Sequence, residues 1–446
     1  MPHPPDSEYR PLPAAPPPHV AAGPRARTSL TVLVLIFVGF VSLGLPDGLL
    51  GVAWPSMRQT FGLPLDALGA LFMTSVLGYL VASLASGWVV DRIGVGLLLA
   101  LSALATTVSL LTFAFAPDWA FIVVIGIVTG LGAGAIDAGL NSYVALLHSP
   151  RLLAWLHACF GIGAATGPAI MMMVLEAGQS WPTGYAIVGA GQLALGLCFL
   201  ATRRQWAAAP EPVRETPLTP SPLSQAGEGE YSADAGGMDA RGAGTVRGAQ
   251  RRAVANPAVW LSVVLFLLYT GVETAAGQWA YTLFVEGRGV SAQAAGFGVS
   301  AYWAALALGR VLAGIIDDRV SPATLTRWSM GGMLAGAVLI WLNAAVWVSF
   351  AGLGLMGLAA APVFPTLIGA TPQRFGPAQA ATVIGFQVGA ASLGIAGLPA
   401  LAGVLAVRQG LEIIPLVLVV GAICMMALHE GVLRLVGRVT TRTAAA

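Results

Sequence analysis

Leu43-Gly44-Leu45-Pro46-Asp47-Gly48-Leu49-Leu50 lies inside an apolar run from Leu30 to Val52 whose only charged residue is Asp47. About 20 apolar residues in a row are enough to cross the hydrocarbon core of a bilayer as an α-helix. A carboxylate near the middle of such a run costs about 2.5–3.5 kcal/mol on insertion scales, so it faces the protein interior or a wet cavity. Asp47 therefore reads either as an interhelical hydrogen-bonding residue or as part of an ion or substrate pathway. Intramembrane acids favour the second reading. Glu273 recurs in the same setting, in the run from Trp260 to Leu283, and Asp137 is a third acid of this kind. Most of the chain reads as two copies of a helix bundle arranged around these three carboxylates.

Composition points the same way. Hydrophobic residues make up 57% of the 446 residues and charged residues 9%, with a mean hydropathy of +0.79. A soluble domain is nearer half apolar and a quarter charged, so this is an integral membrane protein. All 22 basic residues are arginine, a composition bias with no chemical meaning of its own. Cys159, Cys198 and Cys424 lie in apolar segments and show neither metal-ligand spacing nor a disulfide framework. No HExxH zinc motif, GxSxG nucleophile elbow or Walker loop is present, so neither hydrolysis nor ATP drive has a visible apparatus. The sequence implies no enzyme, no cofactor, no metal and no nucleic-acid partner.

Segments suited to spanning helices fall at about 29–56, 66–90, 94–116, 119–147, 152–176 and 181–202, then at about 257–285, 291–316, 323–345, 346–372, 378–406 and 411–434. The expected fold is all-α: twelve transmembrane helices in two pseudo-symmetric bundles of six. Residues 1–28 read as a disordered tail rich in proline and alanine, 29–203 as the first bundle and 257–437 as the second, with a short tail at 438–446. Residues 204–256 are rich in Pro, Gly, Ala and Ser, cannot offset their ordering entropy by burial, and read as a flexible linker. Asp118, Pro182, Asn343 and Pro415 mark turns or helix ends. Trp119, Trp155, Trp181, Trp260, Trp328 and Trp347 sit near helix ends, where amphipathic rings suit the headgroup layer. With a cytoplasmic N-terminus, eighteen of the 22 arginines fall on the cytoplasmic side, only Arg58, Arg288 and Arg408 fall outside, and Arg310 lies within a helix. That asymmetry predicts both termini in the cytoplasm and an inner-membrane, multi-pass protein.

The halves repeat each other. Gly87-x3-Asp91-Arg92 recurs as Gly314-x3-Asp318-Arg319, and Gly130-Leu131-Gly132 as Gly357-Leu358-Ala359, both at an offset of 227. Gly163-x4-Pro168 recurs as Gly394-x4-Pro399 at an offset of 231, and Asp47 and Glu273 are 226 apart. Parallel repeats of six helices put a substrate site near the midplane between them.

Gly87-Trp88-Val89-Val90-Asp91-Arg92-Ile93-Gly94 resembles the cytoplasmic-loop motif of the major facilitator superfamily, with Val95 and Gly96 where that motif usually carries basic residues. The resemblance covers about residues 29–437. Within the superfamily, Asp137-Ala138-Gly139-Leu140-Asn141, His157-Ala158-Cys159-Phe160-Gly161, Gly271-Val272-Glu273-Thr274 and Val363-Phe364-Pro365-Thr366 resemble the fucose–proton symporter group and its glucose-transporting relatives. In that group, acids of helices one and four take part in proton coupling and sugar binding; Asp47 and Asp137 stand at the matching places. The fourth-helix acid is a glutamate in the fucose transporter itself. Gly163 to Pro168 also resembles the helix-five motif of drug–proton antiporters.

The residues have their own physical reading. Asp137 and Asn141 are four apart and share a helix face with Gly130 and Gly134 close by, where a carboxylate and an amide suit hydroxyl groups or clamp a neighbouring helix. Burial favours the neutral form of an acid, which lets it bind and release a proton near neutral pH. Tyr269 is one turn before Glu273, which binds substrate or serves as a packing donor. His157 is a relay candidate or a structural histidine. Trp54, Gln278, Trp279, Tyr281, Tyr302, Trp303, Phe364 and Gln387 are candidate cavity liners. Gly87, Asp91 and Arg92, with Gly314, Asp318 and Arg319, form a candidate latch in which aspartates accept from a facing helix N-terminus. Together these features predict a monomeric proton-coupled secondary transporter of a small polar solute, a sugar by preference, with a proton-driven drug exporter and a non-transporting membrane receptor as alternatives.

Overall fold

The computed structural model describes residues 29–147, 150–206, 251, 253–316 and 320–444. The expected N-terminal tail, most of the expected linker, and Asp318 and Arg319 of the second latch lie outside the described residues. Twelve helical spans of 20 to 32 residues are long and apolar enough to cross a membrane. In hydrocarbon every backbone N–H and C=O must be satisfied internally, and a helix does this within one segment.

The first half comprises α1 (Leu30–Phe61), α2 (Leu68–Ile93), α3 (Val95–Ala114), α4 (Trp119–Leu147), α5 (Pro150–Glu176) and α6 (Trp181–Thr202). The second comprises α7 (Pro257–Thr282, prolonged by a π-helical turn to Gly287), α8 (Ala292–Ile316), α9 (Pro322–Leu342), α10 (Val346–Ala360), α11 (Val363–Phe375), α12 (Pro377–Gln409) and α13 (Ile413–Ala444). Ser29, Asn256 and Ser321 cap α1, α7 and α9 through side-chain oxygens. Asn343 closes α9 at φ 46°, as the sequence predicts for that position. The tenth span is two helices, α10 and α11, because Pro362 has no amide hydrogen to give to the carbonyl one turn earlier.

Three expected boundaries shift. α1 runs to Phe61, where Arg58 donates to the Leu63 carbonyl at 3.3 Å. Residues 203–205 continue α6 as a 3-10 turn, and the Trp206 ring buries against Tyr143 and Phe199, so the stretch expected to be linker from 204 is bundle up to 206. At the other end α13 continues to Ala444, into the stretch expected to be a tail.

The repeat seen in the sequence is a repeat of helix crossings. A side chain at Gly163 of α5 would strike the carbonyl of Val41 on α1, and one at Gly394 of α12 would strike that of Leu267 on α7. Likewise Gly130 of α4 abuts the Ser75 carbonyl of α2, and Gly357 of α10 abuts that of Tyr302 on α8. The paired positions keep the offsets of 226, 227 and 231. Glycine at these crossings lets the backbones touch, which is how helices associate where burial from water offers no drive.

We call the side on which α1 begins the near side. Several contacts between the halves lie on the far side. Arg58 pairs with Glu286 at 2.8 Å, and Gly69 of α2 meets Ala400 of α12. Met172 of α5 packs on Gly296 of α8. Toward the near side, side chains added at Gly87 of α2 or at Gly385 and Gly389 of α12 would meet nothing within 4 Å. Between α2 and α12 the halves meet at the far side, whereas α5 and α8 stay in contact toward the near side, at Gly161 and Ala307 and through Arg310 and the His157 carbonyl.

Candidate functional site

Asp47 lies in the middle of α1, yet its side chain is exposed. Its own helix shows which way it faces. Gly44 and Gly48 pack on α5, while Gly51, one turn beyond Asp47, meets Gln278 of α7 in the opposite half. Gln278 also donates from Nε2 to the Asp47 carbonyl at 2.9 Å. Asp47 thus sits at the seam between the halves.

Asp137 of α4 is half-buried and accepts two hydrogen bonds. The Tyr79 hydroxyl donates to Oδ2 at 2.5 Å, and Asn141 Nδ2 donates to Oδ1 at 3.0 Å. The buried Oδ1 of Asn141 has no partner among the described residues. Gly130, Gly134, Asp137 and Asn141 fall on one face, and both glycines press on the backbone of α2 at Ser75 and Tyr79. That close approach brings the Tyr79 phenol to the acid. Asp47 is near enough to Tyr79 to act on it electrostatically, so the first-half acids share one neighbourhood.

The third acid has a different company. Glu273 Oε2 accepts from the Tyr269 hydroxyl, and Oε1 lies 3.7 Å from Arg310 Nη2 of α8. Tyr302 donates to the Glu273 carbonyl at 2.7 Å. Arg310 Nη1 donates across the seam to the His157 carbonyl of α5 at 3.1 Å, and Phe364 packs on the Tyr269 ring. His157 contributes its backbone here, while its ring rests edge-on against Phe40.

Several expected liners are elsewhere. Trp279 is 1% exposed and its Nε1 donates to the Pro399 carbonyl at 2.9 Å, so it anchors α7 to α12. Trp303 is buried against Tyr302 and Gly277. Gln387 is buried inside the second half between Thr371 and Ser262, using both ends of its amide. Trp54 and Tyr281 are also buried. Trp279 and Gln387 are held in hydrogen bonds that a ligand would have to break, and Trp303, Trp54 and Tyr281 in packing. Gln278 belongs to the seam. In the candidate latch, Gly87 is open, Asp91 is exposed with no partner among the described residues, and Arg92 folds back over the Trp88 ring at 3.5 Å. Of the second copy, only Gly314 falls within α8.

Two site residues escaped the sequence reading. Tyr79 is one tyrosine in an apolar helix; the glycine stripe on α4 was the available sign that a neighbour comes close. Arg310 was recognised as intramembrane, and its signal was that a guanidinium there needs an acid.

Residues 36–396 match the Major Facilitator Superfamily. The chain belongs to that superfamily. This major facilitator is therefore a membrane transporter. It is 22% identical over 409 residues to "Bypass of stop codon protein 6" of Saccharomyces cerevisiae, covering 86% of this chain and 78% of that one. It is 26% identical over 385 residues to the 3-(3-hydroxy-phenyl)propionate transporter of Escherichia coli, covering 85% and 87%. Among solved structures, a D-xylose–proton symporter superimposes with a TM-score of 0.66 at 16% identity, covering 89% of this facilitator and 96% of that chain. At that identity the likeness speaks for the fold alone.

Proposed function

We propose that this facilitator is a proton-coupled symporter that moves a small polar solute, by preference a sugar, across the inner membrane by alternating access. The observation that carries the reading is Asp47, an exposed acid at mid-span, beside the Tyr79–Asp137–Asn141 cluster. Asp47 and Asp137 bind the coupling proton and accept from solute hydroxyls. The free Oδ1 of Asn141 adds an acceptor, and Phe364 supplies an apolar face from the other half. Three carboxylates stand against one guanidinium, already near Glu273, so the lining disfavours an anionic solute. The near side is cytoplasmic by the arginine asymmetry, which makes the far-side meeting of α2 and α12 the outer gate.

The same acid-rich lining suits a cationic amine, and drug–proton antiport is the second reading. Uptake of labelled sugars into proteoliposomes, with and without an inward proton gradient, separates them. Gradient-driven sugar accumulation supports symport. Proton-driven expulsion of cationic dyes with no sugar uptake replaces it with antiport.

A further inference from the structure

Proline has no amide hydrogen, and inside a helix its ring also crowds the carbonyl four residues earlier. Pro46, the neighbour of Asp47, therefore leaves the Ser42 carbonyl without its helical donor in the middle of α1. In a membrane span a side chain of a neighbouring helix can stand in for that donor. α6 provides one. Gln192 Nε2 donates to the Ser42 carbonyl at 3.1 Å, and both residues are buried. The Ser42 hydroxyl does not compete, because it turns back to the Gly39 carbonyl at 2.7 Å.

The contact is particular to this proline. Pro55, Pro168, Pro372 and Pro399 also lie inside helices. The carbonyls four residues before them belong to Gly51, Ala164, Ile368 and Ile395. Among the described residues, none of those four accepts from a side chain, whereas Ser42 does. Gln192 is also the one side-chain amide of α6, and it meets α1 through its donor end alone.

On the other side of Pro46 the helix is held from the opposite half, by the Gln278 bond to the Asp47 carbonyl at 2.9 Å. Two side-chain clamps therefore grip α1, one from α6 at Ser42 and one from α7 at Asp47, with the proline between them. Helices bend at such a proline, and the bend sets the direction in which the next side chain leaves. We infer that Gln192 is a positioning residue for Asp47: by supplying the donor that Pro46 displaces, it fixes the bend of α1 that turns the carboxyl to the seam. Gln192 and Ser42 belong to the same half, so their clamp is kept when the halves move. The Gln278 clamp crosses the seam and is made only while α1 and α7 meet there. Gln192 is the constant of the two, and it holds the aim of the acid through the cycle.

The inference rests on the proton-coupled reading only in taking Asp47 as a working acid. Its test needs neither solute nor gradient, so either can fail alone. The purified full chain in lipid nanodiscs is treated at one pH with dicyclohexylcarbodiimide, which adds to protonated carboxyls, and labelling is read at each acid by peptide mass. Gln192→Met keeps the length of the side chain and loses its donor. It is expected to lower labelling of Asp47 several-fold and to leave Asp137 as in the wild type. In a Pro46→Ala background the helix supplies its own N–H to Ser42, so Gln192→Met should change nothing further. Equal Asp47 labelling in Gln192→Met and wild type overturns the inference. A fall of the same size at Asp137 also overturns it, since that is general loosening. So does a fall undiminished in the Pro46→Ala background, since that is packing and not the Ser42 bond. Should Gln192→Met fail to fold, the double variant decides: it must fold and label Asp47 as Pro46→Ala alone does, or the inference fails.

Discussion

The Tyr79 hydroxyl on α2 donates to Asp137 on α4 at 2.5 Å, across a crossing where Gly130 and Gly134 lie directly on the α2 backbone. Glycine spacing and acid chemistry are one device there. Gly130→Leu should force α2 away and cost about 1–3 kcal/mol or more through overpacking. Tyr79→Phe keeps the packing and removes only the donor, at about 1–3 kcal/mol for a hydrogen bond to an acid. Thermal unfolding in detergent checks both, and a Tyr79→Phe protein as stable as wild type would argue that the bond is not made.

Asp47 and Asp137 differ in what neutralisation removes. Asp47 is exposed at the seam, whereas Asp137 is already held by two donors. In Asp47→Asn and Asp137→Asn, gradient-driven accumulation should fail while exchange without a gradient survives in one of the two. Wild-type accumulation in both would remove the coupling role from this pair.

Trp279 offers a test of the opposite kind. Its Nε1 bond to Pro399 fastens α7 to α12. Trp279→Phe should lose about 1 kcal/mol of stability with no change in the apparent affinity for whatever solute is transported. A weakened affinity at unchanged stability would return Trp279 to the solute site.

Asp91 has no partner among the described residues in this arrangement, in which α2 and α12 meet at the far side, and Arg92 is folded onto Trp88. A latch that works only in the opposite state should look like this. Asp91→Asn is therefore expected to raise thiol labelling of a cysteine placed in the cleft from the near side. Unchanged labelling would show that Asp91 only sets topology.

The helices were legible in the sequence because a bilayer demands long apolar runs and tolerates few charges. The same cost made Asp47, Asp137 and Glu273 stand out, and with them Tyr269 and Asn141 at one-turn spacing. What could not be read was direction. In a helix apolar all round, no polar face tells Trp279, Trp303 or Gln387 whether it points to a cavity or a neighbour. Only the packing of α7, α8 and α12 settled that. Tyr79 was hidden for the same reason. Arg310 was visible but was weighed as a topology signal, since its partner Glu273 is 37 positions away in the chain and the pairing exists only once α7 and α8 are packed.

The twin crossings have a consequence for how such a molecule can change. Gly130 and Gly357 repeat one backbone contact, but seven residues beyond them stand Asp137 in one half and Phe364 in the other. The crossing is the same in both halves, while the side chains seven residues on differ in kind. Altering what this transporter selects should therefore be easiest at the pair Asp137 and Phe364. At the glycines that frame them, any side chain would cost the fold before it could touch the cargo.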